Sequence, residues 1–340
     1  MKKNILILIL IIAVLGCVVS KQITVPLRLS KDNQLYFSSN YGSAQCQVDF
    51  FISINHCNNS IQQSNDVLEK CGAKYVEKSP QYNGKNYKSK FQLGDQSYEL
   101  TVTSPNTDKS SFYGYSILCL GFIKYDFQLN AIQQLHASKQ IAEQKFFITL
   151  NNTAPSSVDQ VIGQLDFGTP DTSIASINNF VQIKKQYSVV SYGAESKNYF
   201  NYGQEQIQSD DTIYFNLDSA FTGISIESFQ KLISLLEQQG VAYEFISEKN
   251  ALFVNSIDKL QALQFVLSQV DNKPYILTIN PTQYTKKLSD NKFQIMIQPQ
   301  YTKGFSFLGY NVLESYYVGF DLSTKSVLIA EKKQVQSEQY

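Results

Sequence analysis

The sequence predicts a mainly β protein: two β-rich lobes facing each other across a cleft, with a few short helices between strands. Three observations carry this. Apolar residues recur with period 2 in run after run, as in Val48-Phe50-Ile52, Ile213-Phe215-Leu217 and Phe293-Ile295-Ile297. Helical spacing is scarce. The two halves also echo each other. In each, an alternating run ends at a short polar residue (Val48 to Ser53, Ile213 to Asp218), and an apolar strand closing on glycine follows later (Leu118 to Gly121, Phe305 to Gly309). Duplication of one β lobe would leave that order.

The chain has 340 residues, 43% of them hydrophobic and 17% charged, which is enough for two cores and too apolar for global disorder. Its 29 basic residues balance 29 acidic ones, so it lacks the electrostatic footprint of a nucleic-acid binder, and none is expected as a partner.

Residues 1–20 read as a secretory signal peptide: Lys2 and Lys3, an apolar run from Ile5 to Val14, then small residues to Ser20. The apolar core is shorter than the ~20 residues a spanning helix needs, so no membrane attachment is expected after cleavage. A lipoprotein-type site at Cys17 fits less well, because Leu15 stands where a small residue is usual. Residues 21–170 then form the N-terminal lobe, 171–331 the C-terminal lobe and 332–340 a polar tail. The expected location is the secretory pathway, ending outside the cell or in a vacuolar or lysosomal lumen.

Cleavage leaves Cys46, Cys57, Cys71 and Cys119 in an oxidising compartment. Cys57 and Cys71 bracket a polar stretch and are the favoured disulfide; Cys119, inside Ile117-Leu118-Cys119-Leu120, reads as a buried free thiol. Asn58-Asn59-Ser60 and Asn151-Asn152-Thr153 make Asn58 and Asn151 glycosylation candidates. One helix is predicted over Phe229, Leu232, Ile233 and Leu236, with Ser225 upstream and Gly240 as its stop. A second is expected from near Ser256 through Leu260, Leu263 and Val266.

The segment Phe307-Leu308-Gly309 through Tyr316-Tyr317-Val318-Gly319-Phe320-Asp321 resembles the carboxy-terminal signature of pepsin-like aspartic proteases. Ile117 to Phe122, Phe146 to Leu150, Gly163 to Gly168 with Asp171, and Leu277 to Asn280 with Tyr284 resemble further strands and turns of that family, so the likeness spans Tyr36 to Ala330. It implies the bilobal acid-protease fold, a monomer, and a cleft that takes an extended peptide or unfolded protein. It also implies two aspartates, one per lobe, sharing one proton, with no metal or organic cofactor.

Residue by residue, that dyad is incomplete. Asp218, followed by Ser219-Ala220-Phe221-Thr222, resembles the second Asp-Ser-Gly-Thr-Thr turn, with Ala220 and Phe221 in place of Gly and Thr. By the same resemblance Ser219 and Thr222 are candidate substrate contacts. In the first lobe the strand delivers Ser53 to the aspartate's place, with Ile54 and Asn55 after it. Asp49 is four residues early and of opposite parity to Val48-Phe50-Ile52, which makes it a solvated strand residue. Tyr82, in Tyr82-Asn83-Gly84, is a candidate flap tyrosine over the substrate, an ordinary hairpin tyrosine being the equal alternative. Asp210-Asp211 reads as a solvated turn. His56 and His136 have no ligand-like spacing to Cys or Glu, and no metal site is expected. Three outcomes stay open: a protein with impaired or absent proteolysis that binds peptide, an active acid endopeptidase if the first-lobe register is displaced or another carboxylate completes the pair, and a fold kept only as a surface for protein contacts, as an inhibitor or structural component.

Overall fold

Alternation makes the strands, and register then joins the two halves of the chain. In the computed structural model residues 22–43, 46–54, 59–79, 84–104, 116–121, 129–151, 160–186 and 192–333 are described. Residues 1–20, Cys57, Asn58 and Tyr82 lie outside them, as do residues 334–340 of the tail. The largest sheet has twelve strands and takes members from both ends of the chain. Tyr316–Asp321 pairs with Lys145–Leu150, which pairs with Val161–Phe167, which pairs with Ile23–Leu29. The C-terminal half adds a six-stranded sheet and two four-stranded ones. Among the described residues no helix is long and apolar enough to cross a membrane.

The echo between halves is structural. Cys46–Ser53 lies parallel to Ser116–Cys119, with Ser53 opposite Cys119. Thr212–Phe215 lies parallel to Phe305–Leu308, with Phe215 opposite Leu308. Each pair buries its alternate apolar residues, including Phe50, Ile52, Ile213 and Phe215.

The helix Ile226–Gln238 forms as predicted, burying Phe229, Leu232, Leu235 and Leu236 and ending before Gly240 at φ +64°. The second predicted helix does not form. Leu263 and Val266 belong to the strand Leu263–Ser268, which has neighbours on both sides and is buried at all but one position. A short apolar run buried on both faces fits either period, and here sheet pairing decides. The run Phe293-Ile295-Ile297 breaks at Met296 into two strands that serve different sheets.

The disulfide also differs from expectation. Cys71 bonds Cys46, not Cys57, across a Cα–Cα distance of 5.9 Å. The turn after Leu35–Tyr41 is what brings the two together: Ser43 N–H donates to the Cys71 carbonyl at 3.1 Å. A Cβ on Gly42 would stand 1.7 Å from that same oxygen. Cys119 is fully buried in the strand Ser116–Cys119, as its apolar surroundings suggest.

On the far face of the twelve-stranded sheet, the fully buried Asp166 carboxylate accepts hydrogen bonds from the Thr24 and Tyr317 hydroxyls. The Gln22 and Gln164 amides each donate to it at 3.0 Å. Burial raises its pKa above the ordinary carboxylate range, and these four donors oppose that rise without cancelling it. A carboxyl that holds its proton more tightly folded than unfolded stabilises the fold at low pH and loses that contribution as pH rises through its folded value. Asp166→Asn keeps the shape but cannot ionise. Urea denaturation should therefore show wild type losing ground against this variant between pH ~4 and neutrality. A gap of constant size would mean that Asp166 titrates normally.

Candidate functional site

Two loops, one from each parallel strand pair, meet at the candidate site. Ser53 closes the strand Cys46–Ser53, and its carbonyl accepts from the Leu120 N–H at 2.8 Å. Gly121 crosses directly above: a Cβ there would lie 1.9 Å from the Ile54 oxygen. The second loop is built the same way. Gly309 crosses the Asp218 loop so closely that a Cβ would lie 2.4 Å from the Phe221 oxygen. Tyr310 N–H, one residue on, donates to the Ser219 carbonyl at 2.9 Å. In both halves the apolar strand ends on glycine because only a residue without a side chain can pass there.

Local hydrogen bonds shape the Asp218 turn. Its N–H donates to Asn216 Oδ1 at 3.0 Å, and the Phe221 N–H donates to Ser219 Oγ at 3.0 Å. Thr222 is fully buried; its hydroxyl donates to Asn311 Oδ1 at 3.2 Å and accepts from the Gly309 N–H at 3.4 Å. With no exposed surface, Thr222 holds the loop together from within. Ser219 is half-buried at the turn itself.

Ser53 and Asp218, 165 residues apart in the chain, are brought together: Ser53 Oγ donates to Asp218 Oδ2 at 3.2 Å. Ser53 is buried at 3% exposure and Asp218 half-buried, so the carboxylate is the more open of the two. A hydroxyl can donate to this carboxylate, but it cannot hold a shared proton as a second acid would. Asp49 does not replace it. It lies on the exposed side of its strand and accepts from Ser38 Oγ at 2.6 Å.

Other sequence candidates fall as follows. Asn151 is exposed at the end of Lys145–Leu150. Asp211 is not solvated: it is buried and accepts from Ser306 Oγ at 2.7 Å and Ser209 Oγ at 3.0 Å, while Asp210 is exposed. His136 has Gln144 as its ring-nitrogen partner at 3.3 Å. Sequence reasoning overlooked Tyr310, whose hydroxyl donates to the Asn33 carbonyl at 2.7 Å. That bond ties the first hairpin of the chain to the residue that buttresses the Asp218 loop.

No protein-family model and no curated protein sequence matches the chain. Its fold does match a solved one. The crystal structure of an aspartic proteinase from Irpex lacteus superposes with a TM-score of 0.70 at 14% identity, covering 93% of this chain and 99% of that one. The chain therefore has the bilobal pepsin-like fold, and identity this low speaks to fold alone.

Proposed function

We propose that this is a pepsin-like protein of the secretory route that holds an extended peptide or unfolded chain in its cleft and does not hydrolyse it. The observation that carries the reading is Ser53 Oγ at 3.2 Å from Asp218 Oδ2, a hydroxyl at the place of the partner acid. Peptide hydrolysis by this fold needs one carboxylate to take a proton from water while the other, protonated, polarises the carbonyl. Loss of such general acid-base help typically lowers rate by about 10²- to 10⁴-fold. Ala220 and Phe221 alter the same turn further. Binding needs none of this, because an extended chain is held by strand-like contacts and side-chain pockets. The Cys46–Cys71 disulfide supports an oxidising compartment, outside the cell or in a vacuolar or lysosomal lumen.

The test pairs binding with cleavage. Labelled extended peptides and a statine-type transition-state mimic should bind by fluorescence anisotropy at pH 3 to 6. An unfolded protein substrate should stay intact over the same range. Cleavage that disappears on Asp218→Asn would overturn the reading.

A further inference from the structure

The strand Lys74–Lys78 is the edge of its hairpin. Among the described residues it pairs only with Lys85–Leu93, and its outer side makes no main-chain hydrogen bond. All five of its side chains are exposed, Tyr75 at 52% and Val76 at 49% among them. An edge of this kind offers unpaired N–H and C=O groups to another chain, and here apolar side chains stand beside them.

Positive charge is concentrated at the same place. Residues 70–90 contain six lysines and a single acid, Glu77, in a chain whose basic and acidic residues are equal in number. Register sets Lys74 opposite Lys88 and Lys78 opposite Lys85, and like charges facing each other across strands are unfavourable. Lys85 and Lys88 are three residues apart in one strand, so the two pairs lie on opposite faces of the hairpin. Relief within the protein is partial. Lys88 Nζ meets Glu99 at 2.6 Å, and Lys85 Nζ lies 5.8 Å from the centre of the Tyr75 ring. Lys70, Lys74, Lys78 and Lys90 meet no carboxylate among the described residues. Glu77 accepts from the Asn86 amide instead, at 3.5 Å.

We propose that this edge docks an extended acidic segment of a partner protein, added as one more strand beside Lys74–Lys78 and independently of any peptide at the Ser53 and Asp218 pair. Main-chain pairing supplies the affinity of such an added strand, and its side chains supply the choice of partner. Carboxylates set opposite Lys74 and Lys78 give each crowded lysine pair the counter-charge that the protein itself withholds. A second copy of this chain is a poor occupant, because its lysines would face their own kind; that is how lysines keep edges from joining. A polyanion without a peptide backbone would meet the lysines, yet it would leave the edge groups unpaired and Tyr75 and Val76 uncovered.

A short Glu/Val/Thr peptide, followed by fluorescence anisotropy at pH ~7 where its carboxylates are ionised, tests this. It should bind, and a Lys/Val/Thr counterpart should not. A fully N-methylated version, which keeps the charges and loses every main-chain donor, should not bind either. A saturating statine-type mimic should leave the acidic peptide in place. In the double variant Lys74→Glu, Lys78→Glu, changed only at exposed positions, the acidic peptide should lose about tenfold or more in affinity while the lysine peptide gains binding. Unchanged affinity in that variant overturns the proposal. Equal binding of the methylated peptide reduces the site to charge alone and overturns strand addition. Displacement by the mimic would put the acidic peptide in the cleft, which refutes the edge site and supports the cleft reading. Failure of the acidic peptide to bind refutes the edge site as well, whether or not a sulfated oligosaccharide binds there.

Discussion

Ser53→Asp should make the fold acid-dependent. The side chain at 53 is buried and its oxygen stands 3.2 Å from the Asp218 carboxylate, so an aspartate there puts two acids within contact distance. Like charges at that spacing cannot both ionise, and the pair retains one proton with an apparent pKa well above the ordinary value. The folded variant therefore binds more protons than the unfolded chain at any pH between the ordinary carboxylate value, about 4, and that raised one. Its stability is complete below pH ~4 and falls as pH rises. Every tenfold gain in proton affinity corresponds to about 1.4 kcal/mol, so a proton held roughly a hundredfold more tightly removes about 3 kcal/mol by neutrality. Urea denaturation should find variant and wild type close at pH 4 and separated by about that amount at pH 7. Identical curves at both pH values would mean that positions 53 and 218 do not face each other. Any cleavage at pH 3 to 6 that this variant gains over the wild type and loses again on Asp218→Asn would trace the difference to the acid placed at position 53.

A methyl group on either crossing glycine should cost more than any surface substitution. At Gly121 the added Cβ meets the Ile54 carbonyl oxygen at 1.9 Å, and at Gly309 it meets the Phe221 oxygen at 2.4 Å. Both obstacles are backbone atoms of the loops that present Ser53 and Asp218, so relief requires the loops themselves to move. Overpacking of this kind typically costs 1 to 3 kcal/mol where side chains can give way; with backbone on both sides about 3 kcal/mol or more is expected. Gly304 is the control for the opposite case: its φ of +79°, unlike the backbone at Gly121 and Gly309, is unfavourable for alanine, yet nothing lies within 4 Å of an added Cβ. Gly304→Ala should lose only about 1 kcal/mol. In chemical denaturation Gly121→Ala and Gly309→Ala should fall well below it, and a peptide bound in the cleft should dissociate faster from whichever variant still folds. Equal stability across the three would mean that the loops are not crossed as closely as described.

Much of this arrangement was legible in residues alone, and the misses share a cause. The alternation of Val48, Phe50 and Ile52, and of Ile213, Phe215 and Leu217, is a local property; it marks which side chains enter a core before any partner strand is known. The chemistry at the strand ends, a serine in one half and an aspartate in the other, is equally local. Helix Ile226–Gln238 was readable because its apolar stripe repeats over 13 residues and Gly240 stops it. Leu260, Leu263 and Val266 offered too short a pattern to separate helix from strand, and two neighbouring strands settled it. Cys57 is closer to Cys71 in sequence, but it is Cys46 that the fold brings within bonding reach. Asp210 and Asp211 look alike in the chain, yet only Asp211 points inward, to Ser306 and Ser209.

By itself, then, the sequence determined the strand faces, the helix Ile226–Gln238, and the pairing of a serine, Ser53, in one half with an aspartate, Asp218, at the corresponding place in the other. Only the tertiary structure decided that Ser53 meets Asp218, that Cys46 bonds Cys71, and that Tyr317 and Asp166 share a buried hydrogen bond across 151 residues. The physical reason is range. Side-chain direction repeats every two residues along a strand, whereas these partnerships depend on the register of strands far apart in the chain, which nearby residues do not encode.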